Sequence, residues 1–138
     1  MGDQAPQPFA PTALDALPPA AVARKAADVG EAKAGLDALS TLALAGLAGA
    51  FIALGAALAT NTLAGTASMP YGAARLLAGV VFSVGLILVV CAGAELFTGN
   101  NLIVMAWASR RVSTARLARN WALVYLGNLA GALARFPR

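Results

Sequence analysis

Thirty-seven consecutive residues, Ala38 to Ala74, carry no charged side chain. A helix that crosses the hydrocarbon of a bilayer needs about 20 largely apolar residues, whereas a helix on a soluble core keeps one polar face. Arg75 interrupts the run, and Leu76–Ala94 then gives 19 more uncharged residues. After Glu95, Leu96–Ser109 gives 14, and a last run, Asn120–Ala134, gives 15. The pattern predicts an all-α membrane protein with about three transmembrane helices. Spans are expected near residues 37–60, 76–109 and 120–134, the last too short for a full crossing.

Composition narrows the function classes. Hydrophobic residues make up 59% of the 138 and charged ones 12%, against about 45–50% and about 25% in ordinary soluble domains. A disordered chain would be poor in apolar residues and rich in charge, so that class is excluded. With one cysteine, Cys91, and no histidine, the chain has no internal disulfide, no Cys- or His-based metal site and no His-dependent triad. No metal or cofactor is expected. Without paired carboxylates in a soluble cleft, an enzyme is the least supported class.

Residues 1–35 differ in kind. They contain five prolines (Pro6, Pro8, Pro11, Pro18, Pro19) and most of the acids, and read as a flexible Ala/Pro-rich cytoplasmic tail ending in a short amphipathic helix around Ala20–Leu36. Residues 36–138 form the transmembrane domain. Arg24, Lys25 and Lys33 precede the first span, Arg110, Arg111, Arg116 and Arg119 precede the third, and the connection 61–75 offers only Arg75. Arginines placed directly at the ends of spans set membrane orientation, with the N-terminus and the 110–119 segment in the cytoplasm, and do not require a nucleic-acid partner.

The second span is too long. Thirty-odd residues as one straight helix would reach about 50 Å at 1.5 Å per residue, beyond the hydrocarbon core. Its middle reads Cys91-Ala-Gly-Ala-Glu-Leu-Phe-Thr-Gly-Asn-Asn101. Gly93 and Gly99 weaken a helix, and Thr98, Asn100 and Asn101 compete for backbone hydrogen bonds. An acid at depth, Glu95, must be paired, capped or turned to water. A break near residues 95–99 follows, with a short re-entrant loop and a second half-helix. Glu95 then has two compatible roles, capping orphan amides or facing a permeant species.

At this segment the sequence resembles the formate/nitrite transporter family. The resemblance rests on Gly93-Ala-Glu-Leu-Phe-Thr-Gly99, on the apolar run from Phe82 that precedes it, and on Asn120-Trp and Tyr125-Leu-Gly-Asn-Leu-Ala-Gly-Ala132. It covers roughly residues 20–134. The resemblance implies an aquaporin-like inverted-repeat fold, here its N-terminal half, with the second helix broken around Leu96-Phe97-Thr98. It also implies homo-pentamers in the bacterial inner membrane, each protomer passing small monovalent anions such as formate or nitrite through its own pore. By position, Leu96 and Phe97 would form the inner constriction, Phe82 and Leu86 would contribute to the outer one, and Thr98 would lie between them as a hydrogen-bonding group. The family continues to six spans and a central histidine, which this sequence lacks. The expectation is therefore a truncated or partial chain representing the first repeat, and its alternative is a membrane fragment that does not itself transport.

Overall fold

Asp37 sets where the longest helix begins. Its carboxylate accepts the Ser40 amide at 2.9 Å, filling one of the donors that a helix N-terminus leaves free. The computed structural model describes residues 17–134. Residues 1–16, the first part of the expected tail, and Arg135 to Arg138 lie outside them.

Six helices follow one another: α1 (Pro19–Ala34), α2 (Ala38–Ala64), α3 (Tyr71–Cys91), α4 (Phe97–Asn100), α5 (Ile103–Ala108) and α6 (Thr114–Ala134). Two of them, α2 and α3, are long and apolar enough to cross a membrane. α6 has 21 residues but begins with Arg116 and Arg119 in its first two turns.

Boundaries differ from the sequence reading for physical reasons. α2 continues past Thr60 because the hydroxyls of Thr60 and Thr62 donate back to the carbonyls of Ala56 and Leu58, at 2.8 and 2.9 Å. Polar side chains satisfied this way do not end a helix. α3 starts before Arg75, not after it. The guanidinium lies 5.2 Å from the centroid of the Tyr71 ring, and a long basic side chain near a helix end can reach out of the apolar zone. α6 starts at Thr114 because Ser113 precedes it, its Oγ accepting the Arg116 amide at 3.3 Å.

The helix break begins earlier than residue 95. Gly93 adopts φ +61°, a left-handed conformation that glycine enters without a Cβ penalty. The amides of Gly93 and Ala94 donate to the carbonyls of Val90 and Val89, at 3.2 and 3.0 Å. This paired closure satisfies the last carbonyls of α3 and turns the chain out of the helix. Leu96 is extended (φ −98°, ψ 132°), and helical structure resumes at Phe97.

α3 and α6 both pack on α2 and make no extensive contact with each other. α3 runs antiparallel to α2: Gly55 meets Gly85 and the Glu95 amide reaches the Leu44 carbonyl at 3.2 Å. A Cβ on Gly55 would stand 2.8 Å from the Phe82 carbonyl, and one on Gly49 would stand 2.0 Å from the Asn128 carbonyl. Both crossings are thus closer than any other residue allows, the use of small residues that helix packing in lipid favours. α1 lies against α5, with Ala34, Ile103, Ala106, Val112 and Leu117 buried together.

The α4–α5 pair returns the chain to the end where α2 begins. Of the eight lysines and arginines among the described residues, seven belong to α1, to the α5–α6 connection or to the first two turns of α6; Arg75 lies at the other end.

Candidate functional site

The extended backbone at Glu95–Leu96 lies between α2 and α6, and its two neighbours in sequence turn opposite ways. Thr98 opens onto a groove along α3. One part of that groove, about 320 Å³, is lined by Ile52, Phe82, Leu86, Leu96 and Thr98. An adjoining part of similar volume shares Leu86, Leu96 and Thr98 and ends at Gly99, Asn100 and Lys33. The groove is therefore apolar along its length, carries one hydroxyl midway, and has one cation at an end.

Phe97 turns away from it. Its ring meets Trp121 and Tyr125 edge-on, with centroids 6.3 and 5.7 Å apart. It lines a separate apolar pocket of about 310 Å³ with Gly49, Ile52, Tyr125 and Leu129. Leu96 borders both spaces. Of the residues singled out in the sequence, Phe82, Leu86, Leu96 and Thr98 are brought together on one wall, Gly93, Gly99 and Asn100 join them at the Lys33 end, and Phe97 belongs to the α6 side.

Glu95 is paired, one of the outcomes expected for an acid at depth, and it neither caps a backbone amide nor lines the groove. It is 4% exposed, and one carboxylate oxygen accepts the Lys33 ammonium at 2.6 Å while the other accepts the Asn100 amide at 2.7 Å. The free amide at the start of α4, that of Phe97, donates instead to Asn128 Oδ1 at 2.9 Å. The carboxylate stands behind Lys33 and Asn100, which are the groups that reach the groove. A carboxylate at this depth is affordable only with such partners.

Further hydrogen bonds extend the cluster. Asn100 Nδ2 also donates to Asn120 Oδ1 at 2.9 Å, Asn120 Nδ2 to the Lys33 carbonyl at 3.2 Å, and Trp121 Nε1 to the Asn100 carbonyl at 3.1 Å. Among the described residues no buried side-chain nitrogen or oxygen lacks a partner. Nor do they contain a group of His, Cys, Asp and Glu side chains placed to hold a metal.

Sequence reasoning missed Lys33, Asn120 and Asn128 as members of this cluster. In the sequence Lys33 carries only an orientation signal, as one of the basic residues before the first span. The available signal was an excess: two asparagines, Asn120 and Asn128, in an otherwise apolar run, each requiring a buried partner.

Two apolar helices of spanning length, a third helix beside them and a broken segment with its own polar cluster define an integral membrane protein of the interrupted-helix class. The chain belongs to the formate/nitrite transporter family, whose pattern matches residues 20–136. It is similar to the formate channel FocA of Escherichia coli (strain K12), with 48% identity over 120 residues, covering 87% of this chain and 42% of that protein. It is also similar to a probable formate transporter of Methanothermobacter thermautotrophicus, at 40% identity over 118 residues (83% and 43% of the two chains). The formate channel BtFdhC of Bacillus thuringiensis is 34% identical over 116 residues (83% and 45%). The chain thus spans less than half the length of these relatives.

Proposed function

We propose that this chain supplies one wall of a transmembrane pore for small monovalent anions of the formate or nitrite type. The observation that carries the reading is the groove of Phe82, Leu86, Leu96 and Thr98 that ends at Lys33. Apolar walls strip water from an ion, and an apolar constriction resists a hydrated charge. A small weak-acid anion meets this barrier better than a chloride-like ion, because a proton can neutralise it within the narrow part. The Lys33 ammonium draws anions to the groove end, its charge partly balanced by Glu95, and the Thr98 hydroxyl offers a hydrogen bond midway. Phe82, Leu86 and Leu96 supply the apolar contacts around Thr98.

The groove is open along one side, so conduction requires an opposing wall, from further chain or from another subunit. The family's pentameric assembly in the bacterial inner membrane, surrounded by lipid, is the setting we infer. The basic residues collected at the α1 end support placing that end, with the N-terminus, in the cytoplasm.

Formate uptake into proteoliposomes containing the full chain tests the reading. Saturable uptake that falls when Thr98 is changed to valine is expected. Uptake indistinguishable from empty vesicles would assign the chain to a non-transporting membrane role.

A further inference from the structure

We propose that Asn128 of α6 is the positioning residue that aims Leu96 into the groove, although Asn128 itself does not line that groove. The proposal deepens the pore reading above and rests on it for its consequence, while its geometry can be read without any transport.

The carboxamide of Asn128 is fully engaged with backbone. Nδ2 donates to the Glu95 carbonyl and to the Ala45 carbonyl, both at 2.9 Å. Oδ1 accepts the Phe97 amide, also at 2.9 Å. The Glu95 carbonyl belongs to the peptide unit ahead of Leu96, and the Phe97 amide belongs to the unit behind it. Each peptide unit is rigid. Fixing both fixes the two soft dihedrals of Leu96, here φ −98° and ψ 132°, and with them the direction of its side chain. The same constraint sends Thr98 to the groove and Phe97 to the α6 side.

The third bond ties this arrangement to α2. Asn128 can come so close only because Gly49 has no side chain, since a Cβ there would stand 2.0 Å from the Asn128 carbonyl. The amide has one workable orientation. Turned over, it would place an oxygen against two carbonyls and a donor against a donor. No other residue type offers two donors and an acceptor in this plane at this length.

The test uses the full chain in lipid, with Cys91 changed to alanine and a reporter thiol introduced by Thr98→Cys. Reactivity with a small methanethiosulfonate reagent is measured against the Asn128 parent at each pH. Asn128→Leu removes all three bonds. Asn128→Asp keeps the acceptor for the Phe97 amide, but when ionised it faces two carbonyls without a proton; protonated, it regains one donor. Both variants are expected to change reporter reactivity at least about ten-fold near pH 8, the scale of two or three lost hydrogen bonds. The Asp variant alone returns toward the parent as pH is lowered, because protonation restores one donor to it. A second thiol, from Ser68→Cys in the far connection, is expected to react alike in all three and so reports that the chain remains inserted. Parent-like reactivity in Asn128→Leu, or an Asp variant without pH dependence, would overturn the proposal. If the parent carries formate, flux should follow the same acid rescue. If the parent carries none, the pore reading fails and the reporter result still decides the role of Asn128.

Discussion

Lys33 and Glu95, 62 residues apart in sequence, meet at 2.6 Å and join the N-terminal helix α1 to the helix break. Glu95 is nearly inaccessible, and the Lys33 side chain is 26% exposed. Removing one member of a buried pair strands the other and costs about 3–5 kcal/mol, less where water reaches one partner. Glu95→Leu is therefore expected to lower stability by about 2–3 kcal/mol. The double variant Lys33→Met/Glu95→Leu should regain much of that loss. Thermal unfolding of the purified chain in detergent checks both, and a double variant no better than the single would refute the coupling.

The α2–α6 crossing makes a contrast between two glycines of one helix. Gly49→Ala drives a methyl into the Asn128 carbonyl, whereas the nearest atom to a Cβ on Gly46 is 4.0 Å away. Gly49→Ala should cost about 1–3 kcal/mol, as overpacked cores do, and Gly46→Ala should change little. Equal unfolding midpoints for the two would argue against the crossing as described.

Leu96 and Phe97, adjacent in sequence, should respond differently to truncation. Leu96 borders the groove, so on the pore reading proposed above Leu96→Ala is expected to widen it and raise formate leak. Phe97 packs edge-on against Trp121 and Tyr125, so Phe97→Ala should first lower stability, by about 2–3 kcal/mol for a half-buried aromatic. Paired flux and unfolding measurements separate the two, and leak confined to Phe97→Ala would reverse the assignment.

Asp37 gives the chain an acid-sensitive helix start outside the span. The Ser40 amide holds its carboxyl below the ordinary carboxylate range. A depressed value in the folded state means that the cap contributes fully above the unfolded value, and that the contribution disappears as pH falls through the folded one. Asp37→Ala should lower the unfolding midpoint at neutral pH, with the gap to the parent closing in strong acid. Asp37→Asn, which still accepts the amide, should show little loss. A gap that persists unchanged in acid would contradict the sign.

Topology is open to labelling. A cysteine replacing Ser113, in the α5–α6 connection, should react with an impermeant reagent only from the cytoplasmic face, and one replacing Ser68 only from outside. Reversed labelling would invert the orientation.

Much of the architecture was legible because its causes are local. The charge-free runs define α2 and α3, and the glycines and the buried acid announce a break. The turn falls at Gly93, two residues before the expected 95–99, because glycine enters the left-handed conformation without a Cβ penalty. The site was less legible because its geometry is tertiary. Nothing near Lys33 in sequence indicates that its ammonium meets Glu95 rather than water. Nothing in Leu96-Phe97-Thr98 says that the phenyl ring turns away from its neighbours, since that depends on Trp121 and Tyr125 arriving on α6. Asn128 was visible in the sequence as a polar residue in an apolar run, but its backbone partners lie on two other segments.

The closed hydrogen-bond accounting around the break has a bearing on how such a protein is made. α3 ends in a turn that satisfies its own carbonyls, Asn128 occupies the free amide and carbonyl of the loop, and Asn100 and Lys33 enclose the acid. Every one of these partners is in place once residue 128 has left the ribosome. The irregular backbone need not wait in lipid for a later segment to rescue it, and a nascent chain can hold this break in finished form as soon as residue 128 is in place.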